Sequence, residues 1–155
     1  MMMEELRNII ENKPTNQKAT LTFNKILPEN KLEIKRRDNE PPIAINKWGW
    51  RFHHIGVPVN EPMPNEKYIE GLKMYVKGFD TSPYGFEWMR FEKDSPISKL
   101  VQTVPHIAFD VDNLEEALKG KEVITEAYRI GEGIRVAMII DNGTPIELLE
   151  FKKRK

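Results

Sequence analysis

Two short fragments of this chain occur twice, in the same order, and no other feature constrains its fold as strongly. His54-Ile55-Gly56-Val57-Pro58-Val59-Asn60 is echoed by His106-Ile107-Ala108-Phe109-Asp110-Val111-Asp112-Asn113. Phe86-Glu87-Trp88-Met89-Arg90-Phe91 is echoed by Ile146-Glu147-Leu148-Leu149-Glu150-Phe151. Each half thus offers one histidine and one glutamate from matching strand-like segments. If a pseudo-twofold axis relates the halves, His54, Glu87, His106 and Glu147 converge on one point. Two imidazoles and two carboxylates at one point suit a divalent metal.

The second half reads as β-α-β-β-β. Val104 to Val111 alternates as a strand, and Asp112 with Glu115 three residues on resembles a helix cap. Leu114, Ala117 and Leu118 form the buried stripe, and Gly120 fits the helix end. Lys121 to Ile130 holds a strand, and Ile134 to Ile140 is a nearly continuous apolar one. Asp141-Asn142-Gly143 marks a hairpin into Thr144 to Phe151. The first half is a compressed version. Arg51 to Val59 is a strand, Asn65 caps a short helix carrying Tyr68, Ile69 and Leu72, and Met74 to Val76 and Gly85 to Glu92 are strands.

The expectation is an α+β chain of two βαβββ modules, about 48–94 and 104–152, within a domain spanning 48–155. Residues 1–47 form an N-terminal extension. Residues 3–12 suggest a short helix, Thr20–Phe23 and Lys31–Ile34 short strands, and Asp38 to Pro42 a breaker cluster.

Composition removes several function classes. The chain has 155 residues, with 24 Lys+Arg against 24 Asp+Glu, so no electrostatic pull toward nucleic acid or an anionic membrane is expected. It has no cysteine, which excludes disulfides, thiolate metal sites and thiol nucleophiles. No apolar run approaches the ~18 residues of a membrane span. The expected setting is the cytoplasm, and the expected partner a small-molecule substrate.

Alternation along the strands sharpens the site. His54 shares a face with Gly56 and Pro58, and His106 with Ala108 and Asp110, so small residues beside each histidine leave room for a ligand. Glu87 aligns with Met89 and Phe91, and Glu147 with Leu149 and Phe151. A carboxylate on such an apolar face is costly unless compensated, and a cation is the simplest compensation. Mixed imidazole and carboxylate donors suit zinc, nickel, cobalt, manganese or ferrous iron. An open coordination position would let the metal polarise a carbonyl and stabilise an enediolate, with a ligand carboxylate as the base.

The other candidates read as scaffold. His53 adjoins His54, so only one of them is expected to face the pocket, and His53 becomes a packing or surface residue. Glu92 and Glu150 face away as surface charges. Trp48, Trp50 and Trp88 fit core or interface positions. Arg90 lies opposite Glu87, as a surface or dimer contact. Tyr84, Arg129 and Arg135 are candidates for holding an anionic substrate.

The duplicated His-Ile-Gly and His-Ile-Ala strands, with the closing Ile146-Glu147-Leu148-Leu149-Glu150-Phe151 segment, resemble the vicinal oxygen chelate superfamily over residues 50–152. That group contains the glyoxalases, methylmalonyl-CoA epimerases, bleomycin-resistance proteins and extradiol dioxygenases. The resemblance implies paired modules in a cupped mixed sheet around one divalent metal held by His54, Glu87, His106 and Glu147. It also implies a homodimer. A glutamate at position 87 is more similar to a lactoylglutathione lyase than to the dioxygenases, which use two histidines and one glutamate. The implied activity is a lyase or isomerase moving a proton next to a carbonyl, with Glu87 or Glu147 as base. Two alternatives are a ferrous extradiol-type dioxygenase and a non-catalytic protein that sequesters small molecules. Thirty-three residues separate His54 from Glu87, but forty-one separate His106 from Glu147, so the register of Glu87 depends on how the first module is shortened.

Overall fold

The computed structural model describes residues 35–153. The helix expected at 3–12 and the strands expected at Thr20–Phe23 and Lys31–Ile34 lie outside the described residues. The chain divides between Ile43 and Ala44, and the sheet belongs wholly to the second unit.

Eight strands form one mixed sheet: β1 (Arg51–Pro58), β2 (Lys67–Ile69), β3 (Met74–Lys77), β4 (Phe86–Phe91), β5 (His106–Asp110), β6 (Val123–Arg129), β7 (Ile134–Asp141) and β8 (Thr144–Phe151). Their order across the sheet is β2-β3-β4-β1-β5-β8-β7-β6. Within each module the first strand pairs parallel with the last, β1 with β4 and β5 with β8, and the remaining strands follow antiparallel. The two modules therefore have the same strand topology. They join through the antiparallel pair β1–β5, where Ile55 lies opposite Ile107, His54 opposite Ala108, and Gly56 opposite His106. That pairing is symmetric about the Ile55–Ile107 step, so the pseudo-twofold axis passes there. This is a glyoxalase-like α+β architecture.

The modules differ in their helices. In the second, Leu114–Leu118 forms a short helix between β5 and β6. Its cap is Asn113, not Asp112: the Asn113 side chain accepts the Glu116 backbone N–H at 2.9 Å. Glu150 on β8 accepts the N–H of Leu114 at 2.7 Å, satisfying another donor of the first turn. Leu114 and Ala117 are buried with Trp50, Phe109, Ala137, Ile139 and Leu148 in the main core. Val111 joins them, and Leu118 packs against this cluster. In the first module the helix expected after Asn65 is absent. Lys67–Ile69 is a strand, followed by a single 3₁₀ turn, Glu70–Leu72. A left-handed residue at each end, Asn65 (φ 61°) and Lys73 (φ 48°), brackets that strand and turn.

The linker between the modules supplies what the first one lacks. Lys99–Thr103 is a helix whose N-cap Ser98 accepts the Val101 N–H, and it packs against β1 and β4. At the other end of the chain, Asn142 (φ 49°) and Gly143 (φ 78°) make the tight hairpin between β7 and β8, as a two-residue turn with both φ positive requires. Among the described residues, no helix is long and apolar enough to cross a membrane.

Candidate metal centre

The site lies where the modules meet. β1 carries His54, β5 carries His106 and β8 carries Glu147. Among the described residues, His54 and His106 are the two buried polar side chains, at 5 % and 3 % exposure. The two Nε2 atoms face each other at 3.3 Å, and His106 Nε2 lies 3.1 Å from Glu147 Oε2. One ligand atom from each of the three residues lies within 4.8 Å of the other two. Donor atoms held about 2.0–2.2 Å from one ion at tetrahedral or octahedral angles are themselves about 3–3.5 Å apart. The two shorter separations fall in that range, so the three residues fit a divalent ion.

The electrostatics agree. Burial lowers the pKa of His54 to about 4, with His106 and His53 adding to the shift and Glu147 opposing it. Its imidazole is therefore neutral at pH 7 and keeps a lone pair. Burial by itself would raise the Glu147 carboxyl, but the hydrogen bond from His106 and the surrounding imidazoles outweigh it, and its pKa is lowered. The set is two histidines and one ionised carboxylate, a donor group open to zinc, nickel, cobalt, manganese or iron.

Glu87 stands apart. Its partner on β1 is Gly56, as the partner of Glu147 on β5 is Ala108. Gly56 and Ala108 each lie two residues beyond a site histidine, so the two glutamates occupy equivalent register positions. The eight-residue difference in spacing is taken up before β4, where the helix is missing. Glu87 nevertheless lies outside the close cluster of three. It lines the same cavity of about 200 Å³, together with His54, His106, Glu147 and Tyr128. The rest of the lining is apolar, including Met74, Met89, Phe91, Val136 and Met138, with Ile97 and Val101 from the linker closing one side. Burial raises the Glu87 pKa, and the charge of Glu147 adds to this. Burial and the same charge raise the Tyr128 phenol.

Two sequence expectations change here, and a third gains a contact. The glycine beside His54 does not open space for a ligand. A Cβ on Gly56 would lie 2.1 Å from Cε1 of His106, so the glycine makes room for the other module's imidazole. His53 stays out of the cavity lining, as expected, but it packs against His54 itself. The β1–β5 register shifts between Phe52 and His54, so His53 is the extra residue of a β-bulge, which breaks the alternation. Its Nδ1 lies 2.8 Å from Nδ1 of His54. Nothing in the sequence signals that bulge. Finally, Arg135 is engaged away from the cavity, by Glu115 and by Glu150 at 3.2 Å, so Glu150 is a structural partner and not an ordinary surface charge.

The remaining candidates sit outside the cavity lining. Tyr84 is 75 % exposed, and Arg129 is exposed at the end of β6. Arg90 pairs with Glu66 at 2.5 Å and lies 4.0 Å over the Tyr75 ring. Trp50 is core, Trp48 is half exposed beneath Lys121, and Trp88 packs under Gly78. No Lys or Arg lines the cavity among the described residues.

No family model and no curated protein matches the chain. Among solved structures, it is similar to a hypothetical protein from Bacillus halodurans C-125, at 19 % identity and a TM-score of 0.49, over 68 % of this chain and 97 % of that one. It is also similar to methylmalonyl-CoA epimerase from Mycobacterium tuberculosis, at 19 % identity and a TM-score of 0.46, over 66 % and 89 % of the two chains.

Proposed function

We propose that this chain is a metal-dependent isomerase or lyase that moves a proton at a carbon next to a carbonyl. His54, His106 and Glu147 hold the ion, and Glu87 is the base. The observation that carries this reading is the position of Glu87. It occupies the register of a ligand, lies outside the group of three converging donors, and lines the same apolar cavity. Burial there weakens the carboxyl as an acid, which brings a carboxylate base closer to neutral pH. A divalent ion at the three donors would supply Lewis-acid polarisation of the substrate carbonyl.

The residues do the rest. Glu87 takes the proton from the carbon and returns it to that carbon or its neighbour. Tyr128 keeps its phenolic proton and donates a hydrogen bond to a substrate oxygen. The apolar walls exclude water and favour a small substrate, with no Lys or Arg among the described residues of the lining to hold an anionic tail. A volume of about 200 Å³ is below the ~300–1,000 Å³ of pockets for drug-sized ligands.

A second reading has an observation of its own. Two histidines and one carboxylate are also the donor set of ferrous oxygenases. The Glu87→Gln variant separates the two. Metal-loaded protein is incubated in D₂O with a panel of small uncharged hydroxyketones, and loss of the C–H signal is followed by proton NMR. Proton transfer predicts exchange that falls at least ~100-fold in the variant, with metal affinity kept. Oxygen uptake with catechols on the iron-loaded protein, unchanged in Glu87→Gln, would select the dioxygenase. A wild-type protein that takes up no zinc, nickel, manganese or iron would sink both and leave sequestration of a small apolar molecule.

A further inference from the structure

The two site imidazoles are held in different ways. His106 is fixed by shape: its ring lies against the backbone of Gly56, and its buried Nδ1 has no hydrogen-bond partner among the described residues. His54 is fixed by a partner. Its Nδ1 meets Nδ1 of His53 at 2.8 Å, while its Nε2 faces Nε2 of His106 at 3.3 Å. Two like nitrogens at 2.8 Å require one to carry a proton and the other a lone pair. If His54 is to present a lone pair at Nε2, its proton sits on Nδ1, and His53 must be the acceptor.

His53 is built to do this. The β-bulge turns it toward the same side as His54. Its ring is then stacked on Phe79 (5.0 Å between centroids, 30° between planes) and on Phe151 (5.5 Å, 29°). Phe79 follows β3 in the first module, and Phe151 ends β8 in the second, so the ring is held from both modules. Phe79 is 48 % exposed and Phe151 39 % exposed, and their contact with His53 gives such exposed aromatic residues a use.

We propose that His53 is a positioning residue for the metal centre: it accepts the Nδ1 proton of His54 and so leaves the Nε2 lone pair of His54 directed at His106 and Glu147. This rests on the reading of those three residues as a metal centre. It assigns His53 no contact with the ion or with substrate. His53 packs, as the sequence suggests, and the bulge adds its contact with His54.

The test uses the full chain, with His53→Phe and His53→Gln. Phenylalanine keeps a ring between Phe79 and Phe151 but cannot accept a proton. Glutamine loses the stack but keeps an acceptor. Zinc affinity is measured by competition with a chromophoric chelator, and the His54 tautomer by long-range ¹H–¹⁵N correlation spectra of the metal-free protein. The expected result is an Nδ1–H tautomer for His54 in the wild type and a shift toward Nε2–H in His53→Phe. Zinc binding weakens at least ~10-fold in that variant, the size usual for loss of a ligand's outer partner, and His53→Gln recovers part of both. An Nε2–H tautomer in the wild type, or unchanged tautomer and affinity in His53→Phe, would overturn the proposal. If the wild type binds no zinc, the metal reading fails, and the tautomer spectra still decide the role of His53.

Discussion

Gly56 carries an unusual burden for a residue with no side chain. Its φ is not in the left-handed region, so it is not there for backbone freedom. It is there because the imidazole of His106 occupies the space a Cβ would fill, at 2.1 Å from Cε1 and 2.6 Å from Nδ1. Gly56→Ala must displace that ring or separate β1 from β5. Overpacking of this kind costs about 1–3 kcal/mol, and a displaced His106 loses its aim at Glu147. The expected outcome is a lower urea midpoint together with zinc binding at least ~10-fold weaker. An alanine variant that matched the wild type in both would show that the ring has another place to go. His54 sets a second residue-scale expectation. Its pKa is about 4 in the folded chain against an ordinary 6.5. Between those values the unfolded chain binds a proton that the folded chain does not, so stability falls as pH drops from 6.5 to 4 and levels off below. A shift of this size corresponds to about 3 kcal/mol at most. Glu147 acts in the same direction: its lowered pKa gives stability above the unfolded value that is lost as pH falls through the folded one. Glu87, with its raised pKa, opposes them, because its buried charge costs stability that acid relieves. The metal-free protein should therefore lose stability between pH 6.5 and 4 in urea titrations, and His54→Asn should flatten the profile. A wild-type profile already flat over that range would contradict a buried, neutral His54.

At the scale of elements, what was legible in the sequence was whatever local alternation or turn chemistry controls. β1, β3, β4, β5, β6, β7 and β8 lie where polar and apolar residues alternate or run together, and the Asn142-Gly143 hairpin follows from turn chemistry alone. The duplication then placed His54 and His106 on the joining strands and Glu147 on the strand beside them. Three features were not legible, each for a physical reason. The segment after Asn65 has the apolar spacing of a short helix, but Lys67–Ile69 pairs with β3, opposite Tyr75 and its neighbours, and pairing outweighs a weak local preference. The cap of the second module's helix moved by one residue, because Asp112 and Asn113 are both competent caps and only the backbone decides. In the structure, Asp112 is drawn toward Arg51 at 2.9 Å instead. The bulge at His53 depends on how two distant strands meet, and it changes a conclusion about function. Strict alternation turns His53 outward, whereas one extra residue brings it against His54.

The whole molecule explains why the site is where it is. Neither module holds the three close donors by itself: His54 comes from the first, His106 and Glu147 from the second. The symmetric β1–β5 pairing brings each histidine across from the small residue of the other strand, so the join between modules and the site are one structure. Without an ion, that join contains two buried imidazoles and a carboxylate that only partly satisfy one another, with one nitrogen unmatched among the described residues. Such a group costs stability unless something completes it. An ion that binds the folded chain alone must then stabilise it by mass action, by about 2.7 kcal/mol at a free concentration 100 times the Kd. For a chain of this length that is a rise of about 5–10 °C in Tm. Differential scanning calorimetry with and without zinc, after chelator treatment, measures it directly. His54→Ala, which removes the first module's close donor, should shrink the rise to a fraction of its wild-type size, because weaker binding stabilises less at the same free zinc. Equal rises in the two proteins would mean that zinc binds elsewhere, and the centre at the module join would lose its strongest physical support.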